Sequence, residues 1–190
     1  MSGSMRSLAE LFDGWNGHQA SLAHAIAPLT REQLLWRPAA GLNSVGELAR
    51  HISVGRITWF TRMGAPGSAE LAGQISAWEQ DSHGNRDIAE PGLPIAGQAS
   101  ELVRWLELSW QMIETTLKAW DVSDLAKTYR HTWNGKVYAV SRQWTVWRIL
   151  SHDIHHGGQV SLMLGMQGIE AFELGELFGH ITLPPLADPP

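Results

Sequence analysis

The chain's 190 residues fit one domain, and a 44% hydrophobic content is ample for a packed core. Fourteen Lys and Arg against nineteen Asp and Glu give a net charge of −5 with no basic stripe to follow a phosphate backbone, so nucleic-acid binding is not expected. Cysteine is absent, which excludes disulfides, thiolate metal ligands and a cysteine nucleophile, and leaves histidine and carboxylate for any metal chemistry.

Apolar residues at Leu8, Leu11, Phe12, Trp15, Leu22 and Ile26 recur at helical spacing and predict a first helix over residues 5–26. Residues 30–35 add a short helical turn before the loop Arg37-Pro38-Ala39-Ala40-Gly41. Ser44 with Glu47 three residues later fits a capping box. It opens a second helix over residues 44–63, whose inward stripe reads Leu48, His51 or Ile52, Gly55 and Trp59. A short helix is expected over 68–78, then polar loop over 81–97. Leu102, Trp105, Leu106, Ser109, Met112, Ile113, Thr116 and Leu117 mark a third helix over 98–120. Two extended runs flank Asn134-Gly135, the pair suited to a type I′ hairpin turn. A fourth helix starts near Ser141, and an apolar tail of short helical or loop character follows from Ile169.

These elements predict an all-α fold: a single domain over 1–190, built as a four-helix bundle with a long crossover between the second and third helices and a small β-hairpin before the fourth. No apolar run suits a signal peptide or a membrane span, so a cytoplasmic protein with no membrane partner is expected. The ten tryptophans are scattered along the chain. They read as bulky core and interface filler, with a few lining a pocket.

The chemistry concentrates in His152-Asp153-Ile154-His155-His156. His152 and His156 are four apart, on one helix face and about 6 Å apart along the axis, so two imidazoles can share an ion. His51 sits within the apolar face of another helix, where an isolated polar group is costly. A metal would satisfy all three and leave one or two coordination positions open, as in a catalytic site. A core histidine bonded to a carbonyl or hydroxyl is the plainer alternative for each. His155, turned about 100° from His156, reads as a surface or interface residue. His18, His24, His83, His131 and His180 show no second ligand at useful spacing.

Asp153 makes His-Asp-x-x-His, one methylene short of the zinc-protease pattern. Leu162 stands where a metzincin has its third histidine, while Glu173 and Glu176 fall where another zincin class draws a ligand. Asp153 is read as binding solvent or a neighbouring helix, or as orienting a histidine from behind.

Asn43-Ser44 with Leu48-Ala49-Arg50-His51-Ile52, the run His152 to Val160, and Gly165 with Gly168-Ile169 resemble the DinB superfamily, as does Trp36-Arg37-Pro38 before the second helix. The resemblance implies a four-helix bundle, a homodimer, and a divalent metal held by His51, His152 and His156. This chain has Gly157 where many members have Arg. Zinc or nickel suits such a site, with iron or manganese as further candidates. Relatives include transferases that use bacillithiol or mycothiol, a thiol-dependent maleylpyruvate isomerase, and metal-dependent hydrolases. The resemblance thus implies a thiol-dependent S-transferase acting on a small electrophile with a low-molecular-weight thiol cosubstrate. Alternatives are a metal-dependent hydrolase and a non-catalytic, stress-related metal-binding or structural protein. Around the ion, Gly55 is expected to leave room for substrate, Trp59 and Trp15 to form an apolar wall, and Gln159 to offer a polar contact.

Overall fold

The structure, a computed structural model, describes residues 7–171. The expected helix start at Met5 and most of the tail, with Glu173, Glu176 and His180, lie outside the described residues. The first helix is two pieces, α1 (Leu8–Leu11) and α2 (Trp15–Ile26), where periodicity predicts one. Gly14 is the reason: its φ of 100° is left-handed, and a right-handed helix cannot continue through it. α3 (Arg31–Leu35) starts from a capping box between Thr30 and Gln33.

α4 (Val45–Arg62) opens on the predicted box. The Glu47 amide donates to Ser44 Oγ at 3.3 Å, and the Ser44 amide donates to Glu47 Oε2 at 2.8 Å. Arg37 braces the box from outside by donating to Glu47 and to the Leu42 carbonyl. The loop before α4 therefore fixes where that helix begins.

α5 (Ser68–Ala72) is shorter than the predicted 68–78, because Trp78 opens a strand instead. β1 (Trp78–Gln80) pairs antiparallel with β2 (Arg86–Ile88), and a 3-10 turn follows at Glu90–Gly92. Polar side chains hold this hairpin: Asp81 Oδ1 accepts from the His83 and Asn85 amides at 2.9 Å, and Arg62 donates twice to the Arg86 carbonyl. Strands of three residues are too short for alternation to reveal, so the segment reads as loop in the sequence.

α6 (Ala99–Ala119) buries all eight residues of its predicted stripe. β3 (Thr128–Trp133) and β4 (Lys136–Ser141) form the predicted hairpin, with φ of 48° at Asn134 and 70° at Gly135. α7 (Arg142–Met166) is capped by Ser141 Oγ, which accepts from the Trp144 amide. Among the described residues two small sheets interrupt the helices, so the protein is mostly helical rather than all-α.

α4 lies at the centre and packs on α6 and α7, while α2 packs on the same two. Their inward side chains, Phe60, Ile52, Leu106, Ile113 and Ile149 among them, join one core and are fully buried. The crossover is pressed onto the start of α4, where a Cβ on Gly46 would stand 1.7 Å from the Ala96 carbonyl oxygen. Only glycine permits that approach. No described helix is long and apolar enough to cross a membrane.

Candidate metal centre and its cleft

Two rows of side chains at i, i+4 spacing face one another across α4 and α7. α4 contributes His51, Gly55 and Trp59, and α7 contributes His156, His152, Arg148 and Trp144 in the opposite direction. At one end the His51 ring centroid lies 4.8 Å from those of both His152 and His156. At the other, Trp59 lies 5.6 Å from Trp144 and 4.5 Å from the Arg148 guanidinium. Gly55 sits between the ends, where a Cβ would be 2.9 Å from His152 Cε1. The missing side chain makes room for His152 itself, as well as for the cleft.

His51, His152 and His156 offer one nitrogen each within 4.8 Å of one another, and Nε2 of His51 lies 3.0 Å from Nε2 of His152. Nitrogens bound at zinc distances in a tetrahedron stand about 3.3 Å apart, so small ring rotations would bring these into register. Two of the rings are held from behind. His51 Nδ1 meets Glu90 Oε1 at 2.5 Å, and His156 Nδ1 donates to Gln159 Oε1 at 2.7 Å. Each contact places the proton on Nδ1 and turns the Nε2 lone pair toward the cluster.

His152 supplies the test of fit. Its Nδ1 is buried without a hydrogen-bond partner, as is Asp153 Oδ1, and the two lie 3.8 Å apart. Without an ion, the short contact between two Nε2 atoms needs a proton on one of them. With the His152 Nε2 lone pair given to an ion, its proton sits on Nδ1 and faces the orphaned Asp153 oxygen. Three neutral imidazoles with these supports suit a divalent ion.

Asp153 is fully buried with Arg56, as both side chains have 0% exposure. Arg56 Nε and Trp15 Nε1 each donate to Asp153 Oδ2 at 2.8 Å. Arg56 Nη1 donates to Gln19 Oε1, the Leu106 carbonyl and Ser109 Oγ. Burial alone would push the Asp153 carboxyl up. The Arg56 charge, with contacts from His152, Arg56 and Trp15, outweighs burial and holds it below the usual carboxylate range. Trp15, expected in an apolar wall, is therefore part of the framework beneath His152, because its indole N–H is needed by Asp153. Gly157 has a similar cause: a Cβ there would lie 2.5 Å from Cε1 of His18.

The cleft has a volume of about 270 Å³ and is lined by His51, Gly55 and His152 together with Trp59. Residues that motif reading left unassigned add to it: Arg62 at the end of α4, Asp81, Asp87 and Glu90 from the crossover, His131 from β3 and Arg148 from α7. Burial would push the Glu90 carboxyl up, but the His51 hydrogen bond and the His51 and Arg50 charges hold it lower than usual. His131 is buried against Trp59, and that burial, with the Arg62 charge, lowers its pKa. His156 is pushed down to about 4, chiefly by burial, against the Gln159 contact. Gln159 holds that ring and is not among the residues lining the cleft. His155 is exposed, as expected.

A mostly helical protein with a three-histidine centre, two of its rings bonded from behind by a carboxylate or an amide, is the class these features define. A model of the DinB superfamily matches residues 15–160, and the chain belongs to that superfamily. The fold is similar to the crystal structure of a DinB-like protein from Bacillus cereus, with a TM-score of 0.62 and 16% identity over 90% of this chain and 99% of that one. At that identity the likeness concerns the fold. A comparison with curated proteins found no match.

Proposed function

We propose that this chain is a divalent-metal-dependent enzyme on a four-helix bundle, acting as a thiol-dependent S-transferase on a small electrophile. The observation that carries this reading is the convergence of His51, His152 and His156 on one point at the edge of a cleft that His51 and His152 line, with Glu90 and Gln159 bonded to the far sides of His51 and His156 and Asp153 facing that of His152. His51, His152 and His156 would hold a divalent ion, zinc or nickel by preference, and its chemistry there would be Lewis acidity that favours ionisation of a thiol or water near neutral pH. Glu90 keeps the His51 proton on Nδ1, and Asp153 Oδ1 faces Nδ1 of His152 at 3.8 Å. Trp59 and Ile88 shield the cleft from bulk water, while Arg62 and Arg148 place positive charge where an electrophile's leaving group would develop negative charge. The absence of cysteine from the chain agrees with a thiol brought in by a cosubstrate.

Metal-dependent hydrolysis is the second reading, supported by Asp87 in the same cleft, where its carboxylate could take a proton from an attacking water. A cytoplasmic location and a homodimer belong to the same proposal. For the dimer, support comes from Trp147, Ile154 and Leu162, exposed on α7.

Metal analysis of the purified protein tests the site. About one divalent ion per chain is expected, with loss of uptake in His51→Ala and His152→Ala. Equal uptake by both variants would remove the site. The loaded protein is then assayed with electrophiles, with and without small thiols. Turnover only with thiol supports transfer and turnover without it supports hydrolysis. A flat response with metal bound leaves a non-catalytic metal-binding protein.

A further inference from the structure

The facing rows of α4 and α7 continue past the histidines into a second recess of about 460 Å³. Trp59, His131, Trp133 and Arg148 line both this recess and the histidine cleft, and Tyr138 and Trp144 complete its aromatic walls. Trp133 and Tyr138, at the tip of the β3–β4 hairpin, are 50% and 47% exposed, so the fold leaves much of their surface uncovered.

Arg148 sits at the junction of the two spaces. Arg62, the other arginine of the cleft, has Asp81 and Asp87 as partners. Among the described residues Arg148 has no carboxylate partner. Its guanidinium lies against aromatic rings, 4.5 Å from the Trp59 centroid and 5.5 Å from that of Trp144. Ring contacts use the face of a guanidinium and leave its N–H edge available for a carboxylate. Arg148 is also one helical turn before His152, about 6 Å along the axis.

We infer that the recess binds a small aromatic carboxylate, its ring between the contacting Trp59–Trp144 pair on one side and the hairpin aromatics on the other, and its carboxylate on the Arg148 N–H edge. A ligand so held keeps its remaining substituents within reach of the histidine cluster. The inference rests on reading the cleft as a substrate site and names the class of substrate it takes.

Calorimetric titration of the full-length protein with 2-naphthoate and with the neutral 2-naphthamide tests it. Naphthoate is expected to bind about tenfold or more tightly than the amide, and Arg148→Met to abolish that preference. Trp144→Ala is expected to weaken both probes severalfold. Both side chains are exposed, so the variants keep the fold, which circular dichroism checks. Equal binding of the two probes, a preference surviving in Arg148→Met, or no binding of either would overturn the inference. Repeating the titration in EDTA separates it from the metal reading. A preference that persists supports Arg148 as the carboxylate site whether or not metal is taken up, and one that disappears assigns the carboxylate to the histidines and overturns it.

Discussion

Two acid–base contacts stand behind the histidines, and they differ mainly in burial. Asp153 and Arg56 are both 0% exposed and join α7 to α4 in the middle of the core. Glu90 and His51 are 26% and 37% exposed and join the crossover to α4 at the rim. A buried pair loses most when one partner is removed, because the other is left charged and unsatisfied. A rim pair keeps access to water and contributes little to stability, while still setting which nitrogen of its histidine carries the proton. The first contact holds the frame, and the second tunes the ligand.

The largest expected effect comes from breaking the first. Asp153→Ala strands Arg56 and should cost about 3–5 kcal/mol of stability, read from urea unfolding. A loss below about 1 kcal/mol would erase the distinction between the pairs. Glu90→Gln is the matching change at the rim. It should weaken metal binding about 10–100-fold in competition with a chelating indicator, yet move the urea curve by less than about 1 kcal/mol.

A third effect concerns acid. His156 titrates at about 4 in the fold against 6.5 ordinarily. As pH falls from 6.5 toward 4, the unfolded chain gains a proton that the folded one refuses, so this group's contribution to stability declines over that window and is fully lost below it. Unfolding curves in chelator at several pH values should therefore slope more in the wild type than in His156→Gln. Asp153, held below its usual range, adds a loss at lower pH still, as the unfolded chain's carboxyl takes a proton that the folded one refuses.

Much of this arrangement is legible in the chain. The His152–His156 spacing, the Ser44–Glu47 box and the Asn134-Gly135 turn are local patterns, and each is present in the structure as read. What was not legible depends on distance in sequence. Glu90 is 39 residues from His51 and lies in a segment without periodicity. Arg56 and Asp153 are 97 apart, although a charge of each sign on the inward faces of two helices is a signal that could have paired them. The split of the first helix was marked by Asp13-Gly14, which apolar spacing on both sides concealed.

The close approach of Gly46 to Ala96 also bears on how such a chain can diversify. The crossover is fixed at Ala96 and meets His51 at Glu90, and the stretch between α5 and Glu90 is anchored by Ile75 and Ile88 in the core, by Arg62 and by the Asn85 contacts with Thr132. That stretch supplies Asp81 and Asp87 to the cleft. Between those anchors its polar side chains can change, and so the wall seen by a substrate, without moving the carboxylate behind His51. Variation in reaction and constancy of ligands are thereby assigned to different lengths of the same crossover.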